Sequence, residues 1–459
     1  MKTRRESDLL GEEDVPEAAY WGIHTLRASG NFRLSDALIP GVLIRALAMV
    51  KKACAMTNRE VGGLSTEKAD AIVCACDEVI AGKLAGQFPL PALQGGAGTS
   101  TNMNMNEVLA NRALEVLGRP RGDYVFMDPL ADVNRHQSTN DVYPTALKVA
   151  AILELRGLSE RIAGLQQVFQ TLEKSFAGIP KIGRTELQDA VPMTLGAEFS
   201  AFAEAVARDR WRTFKSEERL RLVNLGGTAV GTGLTAPRRY IFLVIERLRD
   251  VTGLGLARGD NMVDQTANMD CFVEVSGMLK ACAVNLMKIC RDLRLLHYLG
   301  EIRLPPCQAG SSIMPGKVNP VVLEVVISAA MKVKANDALI ADAASLGTLQ
   351  INEFLPTIAW ALLESIDLLG RSAGAVAEHA SHITADEAVC RRRLDGNPAV
   401  IAAFLPVIGY EKAEALVGQF RSAARADFRE FLNENLGKDL VDRVLEPSRL
   451  MSLGYSDDE

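Results

Sequence analysis

The sequence predicts a mainly α-helical protein of three parts gathered around a central bundle of long helices. Three observations carry that expectation. Hydrophobic residues make up 48% of the 459-residue chain but aromatic residues only 5%, so the core must rest on Ala, Leu, Val and Ile, which helices pack readily. Residues 138–176, 268–300 and 319–347 keep a helical hydrophobic rhythm over long distances. These stretches are apolar on more than one face, as expected of helices buried against neighbours or other subunits.

The three parts follow in order. Residues 1–137 mix short helical segments with Gly-Pro-rich turns such as "QFPLPALQGGAGTS" and "LGRPRGDY". Residues 138–388 carry the long helical patterns and form the bundle. Residues 389–459 read as a small C-terminal domain of shorter helices around "LDGNPAVIAAFLPVIGYEKA", ending in the charged tail "YSDDE".

Composition also excludes. Fifty-one basic residues stand against 57 acidic ones with no sustained basic block, so neither nucleic acid nor an anionic membrane surface is an expected partner. "MKTRRESDLLGEEDVP" has no apolar run behind its basic residues and fails as a secretory signal. No long uncharged apolar run predicts a membrane span. The eight cysteines form neither C-x-x-C pairs nor Cys/His zinc spacing, so free, mostly buried thiols in the reducing cytoplasm are expected, with no metal or cofactor.

The chemistry lies in four polar loops, each before a helical pattern. In "QGGAGTSTNMNMNEVLAN", small residues let backbone N–H groups approach an anion at a helix start; taken alone, the stretch is better explained as a plain Gly-rich turn with an N-cap. In "HQSTNDVYP", Ser138, Thr139 and Asn140 exceed what one cap requires and suggest a carboxylate cradle, before a helix with Pro144 in its first turn; simple cap and turn residues explain this stretch equally well. "KIGRTELQDAVPMTLG" offers Thr185, Glu186, Gln188 and Asp189 in a turn. In "AGSSIMPGKVNPVVLEVV", Asn319 reads as an N-cap and Pro320 as the first helical residue, but Lys317 opposes the helix dipole unless an anion sits between them. Together these loops suit a small multi-carboxylate substrate and proton abstraction beside a carboxylate, where a doubly charged enediolate needs donors and a cation.

"GSSIMPGKVNP" resembles the signature of the fumarase/aspartase superfamily. "LLGEEDVPEAAYWGIHTLRASGNF", "QGGAGTSTNMNMNEVLAN", "LQDAVPMTLG" and "VNLGGTAVGTGLTAP" resemble the aspartate ammonia-lyases within it, collinearly over nearly the whole chain. The resemblance implies a three-domain subunit in a homotetramer, with each active site composed from three subunits. It implies that Ser311 is the general base, that Thr99, Ser138, Thr139 and Ser312 bind the β-carboxylate, and that Thr185, Lys317 and Asn319 hold the α-carboxylate. Asn140 faces the amino group, and Gly310 and Gly316 act as hinges of a closing loop. The reaction implied is anti elimination of ammonia from L-aspartate to give fumarate. A class II fumarase-like hydratase, a lyase for an N-substituted aspartate, and a catalytically silent scaffold are the alternatives.

Two departures stand out. Glu186 occupies the position where fumarases carry His and aspartases His or Gln, and Leu405 replaces the usual Asn before Pro406. A carboxylate ~4 Å from another costs about 4 kcal/mol at a surface-like dielectric unless a cation intervenes. Glu186 therefore pairs with the substrate ammonium, turns toward Arg184 or another arginine, or signals a different amine.

Overall fold

The computed structural model describes residues 2–423, 425–452 and 454–455; the charged tail beyond Tyr455 lies outside the described residues. The chain is mainly helical. Long helices span Gly41–Glu60, Thr66–Ile80, Thr99–Val116, Thr139–Ser175, Leu195–Leu220, Asp270–Tyr298, Val321–Ser345 and Leu355–Ala380. Three of them match the periodic stretches read from sequence. Among the described residues, no helix is long and apolar enough to cross a membrane.

The chain divides into two compact units. The first comprises Met1–Ser159, Arg212–Ala281 and Met331–Leu369; the second comprises Glu160–Trp211, Cys282–Ala330 and Gly370–Glu459.

In the first unit, the Gly41–Glu60 helix packs against the Thr66–Ile80 and Arg238–Thr252 helices. Leu43, Leu47, Val50 and Cys54 recur at helical spacing and are all buried, which is the stripe that drives this packing. The N-terminal part differs from the mixture of short helices expected. Thr3–Asp8 and Gly11–Pro16 pair as an antiparallel hairpin, whose charged sequence offered no apolar alternation to read. Buried polar groups hold it instead: Glu6 accepts from the Ile23 N–H at 2.8 Å and from the Tyr124 hydroxyl at 3.0 Å. Glu107, on the Thr99–Val116 helix, accepts from the N–H groups of Gly22 and His24 at 2.9 and 2.8 Å.

In the second unit, Phe169, Phe176, Phe199 and Phe202 pack edge-on or tilted, with ring centroids 5.3–6.3 Å apart. A second core joins Ile182 to Leu394, Phe404, Phe420, Phe428 and Leu432. The eight cysteines are free and most are buried, as expected: Cys54, Cys76, Cys282, Cys290 and Cys390 are buried, Cys271 is half-buried, and Cys74 and Cys307 are exposed.

Three local expectations need correction. Pro144 sits in the second turn of the Thr139–Ser175 helix, not the first. Its missing N–H leaves the Asn140 carbonyl without an intrahelical donor, and the Asn224 amide fills that vacancy at 2.9 Å. Secondly, Thr185, Glu186, Gln188 and Asp189 belong to a hairpin, Pro180–Thr185 with Gln188–Thr194, rather than a turn leading directly into a helix. Thirdly, the helix after the signature begins at Val321. Asn319 lies two residues before it, and its side-chain NH2 donates back to the Gly310 carbonyl at 2.8 Å.

Candidate active site

The first unit holds a cavity of about 410 Å3 lined by Thr99, Ser138, Thr139 and Asn140, together with Asn102 and Thr228. Two sequence-predicted loops therefore meet there. Gly98 has φ +87°, and a Cβ on it would lie 2.5 Å from the Tyr143 ring. Glycine is required at that point both for its left-handed backbone and for the close approach. The chain then enters the helix at Thr99, whose first turn carries the Thr-Ser-Thr-Asn cluster.

Caps account for part of the second cluster. The Ser138 hydroxyl accepts from the Asn140 N–H at 3.2 Å, and Asp141 accepts from the Ser138 N–H at 2.9 Å. The other polar groups of the cluster are engaged differently. Thr139 Oγ1 accepts from Asn102 Nδ2 at 3.0 Å, and Asn140 Nδ2 donates to the Ala229 carbonyl at 2.7 Å. Asp141 also accepts from the N–H groups of Gly226 and Thr228, at 3.1 and 3.0 Å. It thereby ties the Gly-Thr-rich segment 226–235 to the start of the Thr139–Ser175 helix. Burial pushes the Asp141 carboxyl up to about 7.

The second unit carries the signature loop. Its neck is closed: the Gly310 N–H donates to the Lys317 carbonyl at 2.7 Å, Ala309 bridges Val318, and Asn319 Nδ2 reaches the Gly310 carbonyl. A Cβ on Gly310 would lie 2.8 Å from Asn319 N, while Gly316 takes φ +80° at the turn. Within the loop, Ser311 Oγ accepts from the N–H groups of Ile313 and Met314 at 3.2 and 2.8 Å. Two backbone donors on one hydroxyl oxygen favour its ionised form. Ser312 and Lys317 are exposed, as are Ile313 and Met314 at the tip.

The hairpin of the same unit presents Thr185 and Glu186. Glu186 and Leu187 form its two-residue turn, with φ +53° and +61°. Such mirror-image turns favour Asn-Gly, and residues other than glycine held there cost of order 1–3 kcal/mol each. The strand below is anchored. Arg184 pairs with Asp189 at 3.0 Å and with the fully buried Glu301 at 2.7 Å, and Lys181 pairs with Glu301 at 2.7 Å and with Glu198. Arg184 is thus committed elsewhere, and Glu186 has no ionic partner among the described residues.

A lyase family model matches residues 11–335. The chain belongs to the fumarase/aspartase superfamily of lyases. An aspartate ammonia-lyase of Pseudomonas canavaninivorans is 45% identical over 98% of this chain and 97% of its own. A solved fumarate lyase:delta crystallin from Brucella melitensis, bound to cobalt, is 45% identical with a TM-score of 0.94, over 98% of this chain and 100% of that one. A class II fumarase of Schistosoma mansoni is 32% identical with a TM-score of 0.91, covering 97% and 98%.

Within this superfamily member, several cavity residues escaped the sequence reading. Asn102 and Thr228 line the cavity, and the fully buried Asp141 braces it. "GGTAVGTG" contained the signal for Thr228, a glycine-threonine loop of the same character as the one before Thr99. Lys51 gave none, since it sits in a long amphipathic helix yet reaches Asn134 and Gln137 at 2.8 Å each.

Proposed function

We propose that this chain is an aspartate ammonia-lyase that reversibly eliminates ammonia from L-aspartate to give fumarate. The likeness to curated aspartate ammonia-lyases over 98% of the chain carries this reading. The site fits it. Ser311, as alkoxide, takes a proton from Cβ, and the electron pair moves into the adjacent carboxylate as an enediolate. Its collapse forms the double bond and breaks the C–N bond, releasing ammonia. The Ile313 and Met314 N–H groups on Ser311 Oγ favour the required alkoxide.

In this reading Thr99, Ser138, Thr139 and Ser312 bind the β-carboxylate, and Thr185, Lys317 and Asn319 the α-carboxylate. Asn140 and Glu186 face the amine, and Gly310 and Gly316 flank the loop as it closes. Thr99, Ser138, Thr139 and Asn140 belong to the first unit, and Thr185, Ser311 and Lys317 to the second. A homotetramer with composite sites, working in the cytoplasm, and the three-part division at 137 and 388 belong to the same proposal.

A lyase for an N-substituted aspartate is the second reading, supported by Glu186, whose carboxylate has no ionic partner among the described residues. Fumarate absorbance should be followed with L-aspartate, malate and N-substituted aspartates. Turnover of L-aspartate above the others is expected; turnover of malate alone, or of nothing, overturns the assignment.

A further inference from the structure

We propose that Lys51 is a positioning residue for the carboxylate cradle, its buried ammonium fixing the direction of the hydrogen bonds that lead to the Thr139 hydroxyl. This rests on the reading of Thr139 as a carboxylate contact. Lys51 is 1% exposed, and its Nζ donates to Asn134 Oδ1 and Gln137 Oε1, each at 2.8 Å. An ammonium only donates. Both amides must therefore turn their oxygens toward it and their NH2 groups away, and Gln137 Nε2 accordingly donates to the Val133 carbonyl at 3.0 Å.

The Asn134 oxygen, so oriented, also accepts from Asn102 Nδ2 and Asn106 Nδ2 at 3.2 Å each. Asn102 is thereby held with its NH2 toward both Asn134 and Thr139, reaching Thr139 Oγ1 at 3.0 Å. That occupies Thr139 Oγ1 as an acceptor from within and leaves its proton to be donated into the cavity. A carboxylate there needs that donor. With Lys51 uncharged, Asn134 and Asn102 are free to reverse, and the Thr139 proton turns inward.

The titratable groups facing Lys51 are Asp141, Cys54 and Cys76. Burial raises both thiols, Cys54 to about 12, so both stay neutral, and it lowers Lys51 to about 8. The cradle therefore loses its organising charge in the mildly alkaline range.

Steady-state kinetics of the full-length enzyme with L-aspartate test this. Lys51→Met, which removes the charge at similar volume, is expected to raise KM about tenfold, with kcat changed less than about threefold. The wild-type rise of KM above pH ~8 should disappear in the variant. Thr139→Val added to Lys51→Met should cost little more than either alone, because both remove the same contact. Wild-type KM and pH profile in a folded Lys51→Met, or full additivity, overturns the proposal. Should Lys51→Met fail to fold, Asn102→Leu is expected to show the same KM rise, and an unchanged KM there overturns it. A raised KM in Thr139→Val beside a wild-type KM in Lys51→Met refutes Lys51 alone, whereas an unchanged KM in Thr139→Val refutes the carboxylate assignment and the proposal with it.

Discussion

Asn224 donates its side-chain amide to the backbone carbonyl of Asn140 at 2.9 Å, from 84 residues along the chain, and so completes the helical turn that Pro144 leaves open. Replacing it by Leu should destabilise the protein by about 1–3 kcal/mol, the cost of a partly buried carbonyl left without its donor. Pro144→Ala supplies a new N–H to that carbonyl and should restore part of the loss. Only part is expected, because Asn224 also donates to Thr266. Denaturant unfolding of the two single variants and the double variant measures this; simple additivity would count against the substitution of one donor for the other.

Ser311→Ala should abolish aspartate turnover. Among the described residues the hydroxyl makes only local contacts, accepting from two N–H groups of its own loop, so folding and assembly should be unaffected. Fumarate absorbance and light scattering after size exclusion give the two readouts. Retained activity would remove the serine from its role.

The Glu186–Leu187 turn should couple stability to amine handling. Glu186→Gln is expected to raise KM for aspartate, since the ammonium loses its carboxylate partner. Replacing the pair by Asn-Gly relieves two positive φ angles and should stabilise the fold by about 1–2 kcal/mol while weakening aspartate binding. Thermal unfolding and KM should therefore move in opposite functional senses; an unchanged KM in both variants would separate Glu186 from the substrate.

Asp141 should make stability depend on pH. Its folded value, about 7, lies above the ordinary carboxylate value of 3.8, so the folded state holds the proton more tightly than the unfolded chain. The contribution is fully present below the unfolded value and is lost as pH rises through about 7. At pH 5 wild type and Asp141→Asn both carry a neutral group there. Between pH 5 and 8 the variant should gain on wild type by about 1–4 kcal/mol, whatever offset the lost acceptor imposes at all pH values. A pH-independent difference in unfolding free energy would show that Asp141 is charged throughout.

Much of this was legible in the chain because helical periodicity and loop chemistry are local signals. The stretch read as 268–300 folds as Asp270–Tyr298, and the two polar clusters at Thr99 and Ser138–Asn140 line one cavity. What stayed hidden depends on contacts distant in sequence. The N-terminal hairpin is organised by Glu6 rather than by an apolar face. Asn319 looked like a cap because nothing local reveals that its amide is committed to Gly310. Lys51 looked like one more charge on an amphipathic helix, since only the fold brings Asn134 and Gln137 to it.

The closed neck of the signature loop also bears on how such a catalyst can be re-engineered. Its fastening uses the backbone of Gly310, the Lys317 carbonyl and the Asn319 amide, none of which involves the side chains of residues 312–315. Ser312 apart, which the proposed function assigns to the substrate carboxylate, residues 313–315 therefore form a transplantable cassette: they can be randomised or exchanged with relatives while both serines and the anchoring points stay in place, making the loop tip the natural target for directed evolution toward new substrates.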